Sequence, residues 1–217
     1  MALPPLAPFP PRSFRMHLAP EEWEACLDAW ITLAGGHLNL SDQKYSAAAD
    51  SLAPFLQSYF HSLAATKNNS LNPKEIELRR DAFLLSHRLL SQSKIPPDLL
   101  KWEYLADLSH AFPRNRSLQG LFQSVWKRKG DALEAGLQDI KKRLISWLDS
   151  NENGLAQAEE TLSRLAPLWS TSSDTAAFFM TGSDFLDSLM AAYTKASNEL
   201  RSKLAISTFM GLQALSA

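Results

Sequence analysis

The sequence predicts an all-α protein, an irregular helical bundle or short superhelical stack of about eight helices. Three features lead there. Apolar residues recur every three or four positions along most of the chain, the spacing of one helical face. Leucine and alanine dominate, valine occurs once, at Val125, and no run of four residues alternates apolar with polar, so strand patterns are missing. Proline, asparagine, serine and aspartate recur where the apolar runs begin, as helix N-termini prefer.

In chain order, residues 1–15 contain LPPLAPFPPRSFR, with five prolines. Proline fixes φ and lacks an amide donor, so this stretch reads as an extended arm. It either lies on the domain surface through Leu6, Phe9 and Phe14 or serves as a ligand for a proline-recognition domain. Residues 16–217 read as one all-α interaction domain, because linkers are short and no composition shift divides them. Pro20, Glu21 and Glu22 open the first helix, with Trp23, Leu27, Trp30 and Ile31 on its stripe, and Gly35-Gly36 close it. Ser41 or Asp42 starts a helix bearing Tyr45, Leu52, Leu56 and Phe60, which Pro54 divides or kinks. Asn72-Pro73 is a helix start, followed by Ile76, Ala82, Leu85 and Leu89, with an end near Ser93. Pro96-Pro97 opens a helix through Leu99, Trp102, Leu105 and Leu108, and Pro113 stops it. Ser117 caps a longer helix carrying Leu121, Phe122, Val125 and Trp126, with a break at Gly130-Asp131 before Leu133, Leu137 and Leu144. A turn at 151–154 precedes a helix over 155–169, and Asp174 starts a short one that Gly182 closes.

The last helix is read as continuous. Ser183 stands at its N-cap, and Phe185, Leu189, Tyr193, Ala196, Leu200 and Leu204 share one face. From Leu204 to Ala217 there is no charge, and Ile206, Phe209, Met210, Leu212 and Leu215 point in nearly every direction. Those fourteen residues fall short of the roughly 20 that a membrane span needs. The expectation is a central helix, largely buried over 204–217, around which the others pack. The apolar stop without a capping glycine predicts that these residues are the N-terminal part of a longer protein.

The formal net charge of −1 gives no global pull toward nucleic acid or anionic membrane. The single cysteine, Cys26, forms no internal disulfide and suits a reducing compartment. Residues 1–11 lack the basic start and apolar core of a signal peptide, so the expected location is cytoplasmic, with no membrane contact.

No catalytic constellation stands out, and no metal or cofactor is expected. His17, His37, His61, His87 and His110 show no i, i+4 pair, and neither a P-loop nor a G-x-S-x-G elbow occurs. Cys26, between Trp23 and Trp30 on one face, reads as a small core residue. Basic residues gather over 114–143, and Arg128 and Lys142 share a face if that helix is unbroken. Lys127, Arg128, Lys141 and Lys142 are the candidates for weak contact with RNA phosphates or an acidic protein, diluted by Asp131, Glu134 and Asp139. The plain alternative is a solvated face. For a protein partner the candidates are Trp23, Arg79, Arg80, Trp102 and Trp126, each at the margin of an apolar face or at a helix end. Aromatic and arginine side chains dominate interface energetics.

Two segments carry a family likeness: LPPLAPFPPRSF followed by PEEWEACLDAWITL, and MTGSDFLDSLMAAYTKASNELRSKLAISTFMGLQAL. In order and spacing the chain resembles the N-terminal domain of fungal CUE-domain proteins. That family includes the CUE subunit of the ribosome-quality-control trigger complex, the counterpart of subunit 2 of the activating signal cointegrator complex. The resemblance implies a non-enzymatic scaffold that docks the N-terminal arm of a large ASC-type helicase. It also implies contacts with ribosome and ubiquitin through the full-length protein. The Met-Phe-Pro-like hallmark of the CUE module is absent, and Met180-Thr181-Gly182 does not match it. Ubiquitin binding is therefore placed outside these residues. The alternative reading is an RNA or ribosome contact module using the basic cluster.

Overall fold

Helical periodicity governs the fold throughout the computed structural model, which describes residues 43–65 and 73–215. The expectations for the proline-rich arm, the first helix, Trp23 and Cys26 lie outside the described residues. Among the described residues there are eight α-helices and one 3-10 helix, with no strand. The protein is all-α. It divides into two compact units, Met1–Leu100 and Lys101–Ala217. The sequence marks no boundary there.

In the first unit, α1 spans Gln43–Ala65 and α2 spans Pro73–Ser91. α1 runs through Pro54 as one helix, where a division or kink was expected. Pro54 is exposed, so the carbonyl that its ring deprives of a donor stays within reach of water. Ala53, Leu56 and Phe60 of α1 are buried, as are Ala82, Leu85, Leu89 and Leu90 of α2. Pro97–Leu100 forms only a 3-10 turn packed on α1. The backbone of Lys101 is extended (φ −70°, ψ 137°), so the helix expected from Pro96-Pro97 starts anew at Trp102.

The second unit holds α3 (Trp102–Ala111), α4 (Arg116–Leu148), α5 (Glu152–Thr171), α6 (Ser173–Met180), α7 (Ser183–Lys195) and α8 (Asn198–Leu215). Short polar side chains set its helix starts. Asn115 Oδ1 accepts the Leu118 N–H at 3.0 Å, so Asn115 caps α4 and the expected cap, Ser117, lies inside it. Asn151 accepts from the Gly154 N–H at 3.3 Å and Ser172 Oγ from the Thr175 N–H at 3.3 Å, capping α5 and α6. α4 kinks at Lys129 (φ −137°, ψ 25°), one residue before the expected break.

α5 occupies the middle of this unit, in contact with α3, α4, α6 and α8. Leu155, Leu162, Leu165, Leu168 and Trp169 are all buried on it. The Trp169 ring stands 5.6 Å from that of Phe179, which stands 5.5 Å from Phe185, so α5, α6 and α7 share one aromatic cluster. A bidentate ion pair fastens α3. Arg164 Nε and Nη2 donate to the two oxygens of buried Asp107 at 3.0 and 2.7 Å, and the Arg164 guanidinium lies 5.5 Å from the Trp102 ring centre.

The C-terminal expectation is corrected twice. The single helix is two, because Ala196 is extended (ψ 151°) and ends α7. Gly182 takes the N-cap position of α7, and Ser183 falls in its first turn. Residues 204–215 are also not largely buried. Only Leu204, Ser207 and Gly211 of α8 are buried, while Phe209 is 65% exposed and Ile206 62%. α8 lies at the edge, one side against α5 and α6. Small residues let it approach closely. A Cβ on Gly211 would collide with Met180 Cε and stand 3.1 Å from Trp169 Cε3.

Candidate functional site

A cleft of about 470 Å³ opens where α5 hands over to α6, facing the first turns of α4 and the last turn of α8. Ser172, in extended conformation (φ −129°, ψ 100°), makes the handover. Ser170 Oγ donates to the Ala166 carbonyl and Thr171 Oγ1 to the Pro167 carbonyl, so both hydroxyls are turned back onto α5. Arg116, Gln119 and Gln123 line the α4 wall at i, i+3 and i+7, with Gly120 among them. Ser173 and Asp174 stand on the first turn of α6. The side chains of Arg116, Gln119, Gln123, Ser173 and Asp174 make no hydrogen bond or ion pair among the described residues. Trp169 also lines the cleft. It is fully buried, and its Nε1–H has no acceptor. The cleft thus gathers donors and acceptors of both charge signs, and no histidine lines it. Such a set is suited to binding; it lacks the nucleophile and base pair that covalent catalysis needs.

A second surface feature is apolar. Ile206, Phe209, Leu212 and Leu215, three residues apart, are exposed along α8, and Met190 and Tyr193 are exposed on α7. No charged residue occurs from Leu204 to Leu215. The joint behind this row is fixed by Arg201, whose Nε donates to the Tyr193 carbonyl at 3.0 Å and Nη2 to the Ala196 carbonyl at 3.1 Å. Its guanidinium lies 5.5 Å from the Tyr193 ring centre.

The residues singled out from sequence are scattered. Arg79, half-buried, and Arg80, exposed, lie on α2 in the first unit. Trp102 and Trp126 lie in the second, both half-buried. Trp102 is stacked under Arg164, and Trp126 walls a void of about 10 Å³ with Val125 and Leu133. Lys127, Arg128 and Lys142 are exposed. The kink at Lys129 separates Arg128 from Lys142, so the unbroken helix assumed for their shared face is not present. Lys141 is half-buried and donates from Nζ to the Phe178 carbonyl at 2.9 Å, with the Phe178 ring 5.1 Å away. Burial holds its pKa below the usual lysine value, and Asp184 opposes that shift. Burial likewise lowers the pKa of His87 on α2.

Sequence reasoning counted Arg116 only as one more basic residue and passed over Gln119 and Gln123. The signal that was present is the run Ser170–Asp174, five polar residues between two apolar stretches. Among the described residues no group of three histidine, cysteine, aspartate or glutamate side chains could hold a metal ion. No helix among them is long and apolar enough to cross a membrane. No protein-family model, curated protein sequence or solved structure matches the chain.

Proposed function

We propose that the chain is a non-enzymatic docking domain for a protein partner. The observation that supports this reading is the exposed row Ile206, Phe209, Leu212 and Leu215, uncharged along its whole length. Large apolar side chains exposed together on one helix mark an interaction surface more often than scattered ones do. The partner proposed is the N-terminal arm of a large ASC-type helicase in a cytoplasmic ribosome-associated quality-control complex. That identity rests on the resemblance of the two terminal segments to fungal CUE-domain proteins. Ribosome and ubiquitin contacts would belong to the full-length protein.

Calorimetry with the helicase arm tests the reading. Wild-type chain is expected to bind, Phe209→Asp to bind at least roughly tenfold more weakly, and the double variant Arg79→Ala, Arg80→Ala to report whether α2 contributes. A wild-type chain that does not bind the arm overturns the helicase reading. RNA binding through Lys127, Arg128, Lys141 and Lys142 would instead weaken steeply between 50 and 200 mM salt.

A further inference from the structure

We propose that the cleft between α4, the α5–α6 handover and α8 seats an extended stretch of peptide backbone. This rests on the reading of the chain as a protein-docking domain, and it adds a second contact away from the apolar row. The cleft pairs Arg116 with Asp174, so its formal charges cancel and it has no preference for an anion. What remains is amide chemistry. Each glutamine side chain carries a carbonyl acceptor and two N–H donors, the same pair of functions that a peptide unit presents.

The spacing fits as well. Gln119 and Gln123 are one helical turn apart, about 6 Å between their Cβ atoms. Two residues of extended chain cover nearly the same distance, about 6.6 Å, so both amides can meet successive peptide units on one edge of the guest. Gly120 lies between them, and a Cβ there would meet nothing within 4 Å. Ala214 faces it from α8. Small residues on both walls admit a backbone at close range. Trp169 supplies the independent sign of a ligand. It is wholly buried and lines the cleft, and its indole N–H has no acceptor in the chain. A guest carbonyl at the cleft floor is an acceptor of the right kind. Arg116 can donate to further carbonyls, and Asp174 can accept a guest N–H.

The test uses the 217-residue chain and a phage-displayed library of random twelve-residue peptides (about 40 Å when extended). An enriched peptide is synthesised and titrated into ¹⁵N-labelled protein. The expected result is a shift of the Trp169 indole resonance, assigned with Trp169→Phe. Gly120→Trp fills the cleft from a position with open space, so it should keep the wild-type melting temperature and weaken the peptide roughly tenfold or more. The double variant Gln119→Ala, Gln123→Ala, which adds no bulk, should weaken it comparably. Phe209→Asp should leave it unchanged. Absence of any enriched peptide overturns the proposal. So does a peptide that binds Gly120→Trp as well as wild type, or an indole that shifts with inorganic phosphate and not with peptide. A peptide lost in Phe209→Asp and retained in Gly120→Trp overturns the cleft while leaving the apolar-row reading standing.

Discussion

α5 is touched by α3, α4, α6 and α8, whereas α8 is touched by α5, α6 and α7. The two helices are packed together, yet their compositions suggest the reverse arrangement. α5 carries Glu152, Glu159, Glu160 and Arg164; from Leu204 on, α8 carries no charge. The charged helix is the centre because its apolar residues form one broad stripe of large side chains, and because Arg164 is matched by Asp107. The uncharged helix is peripheral because its inner face is Leu204, Ser207 and Gly211, which set a close approach on one side only. Apolar composition therefore measures how much surface a helix could bury, while position depends on which residues have partners.

Four substitutions sharpen or break this contrast. The largest effect is expected at Trp169→Ala in α5, a loss of about 3–5 kcal/mol from cavity formation, read as a fall of roughly 10 °C or more in melting temperature. A melt within two degrees of wild type would remove α5 from the centre. Arg164→Ala follows, at about 3 kcal/mol, because it strips the bidentate partner from a buried carboxylate. Chemical denaturation should show a lower midpoint at unchanged slope. Gly211→Leu probes the seam itself and should lose about 1–3 kcal/mol by overpacking against Trp169 and Met180. A neutral result there would mean that α8 sits farther from α5 than its glycine implies. Phe209→Asp is the smallest: within about 0.5 kcal/mol of wild type, as for an exposed site, although partner binding falls. Destabilisation by several kcal/mol would restore the central-helix expectation for α8.

Much of this architecture was legible. Leucine and alanine periodicity gave helices nearly everywhere described, and starts such as Pro73 and Asp174 fell within a residue or two of their places. The break between α7 and α8 was hidden because Ala196 and Ser197 are neither glycine nor proline. It is stabilised by Ser197 Oγ accepting from the Leu200 N–H and by Arg201 reaching back eight residues to Tyr193. The cleft was invisible for another reason. Its walls come from 116–123, 169–174 and residue 214, which no local spacing joins. Nor did periodicity separate Trp169, wholly buried, from Trp102 and Trp126, half-buried. All three lie on apolar stripes, and only the number of neighbouring helices tells them apart.

The lysine under α6 has a wider consequence. Eight residues of helix are too short to persist alone, yet α6 is held at both ends by side chains: Ser172 at its start and, in its last turn, Lys141 from α4. Gly182 leaves the room that this ammonium occupies, since a Cβ there would stand 2.9 Å from Nζ. Fraying, the usual fate of a short helix, would have to break a bond to a helix 33 residues long. α6 therefore opens with α4 as one cooperative unit rather than as a loose turn, and its backbone amides should exchange with solvent at the pace of the core.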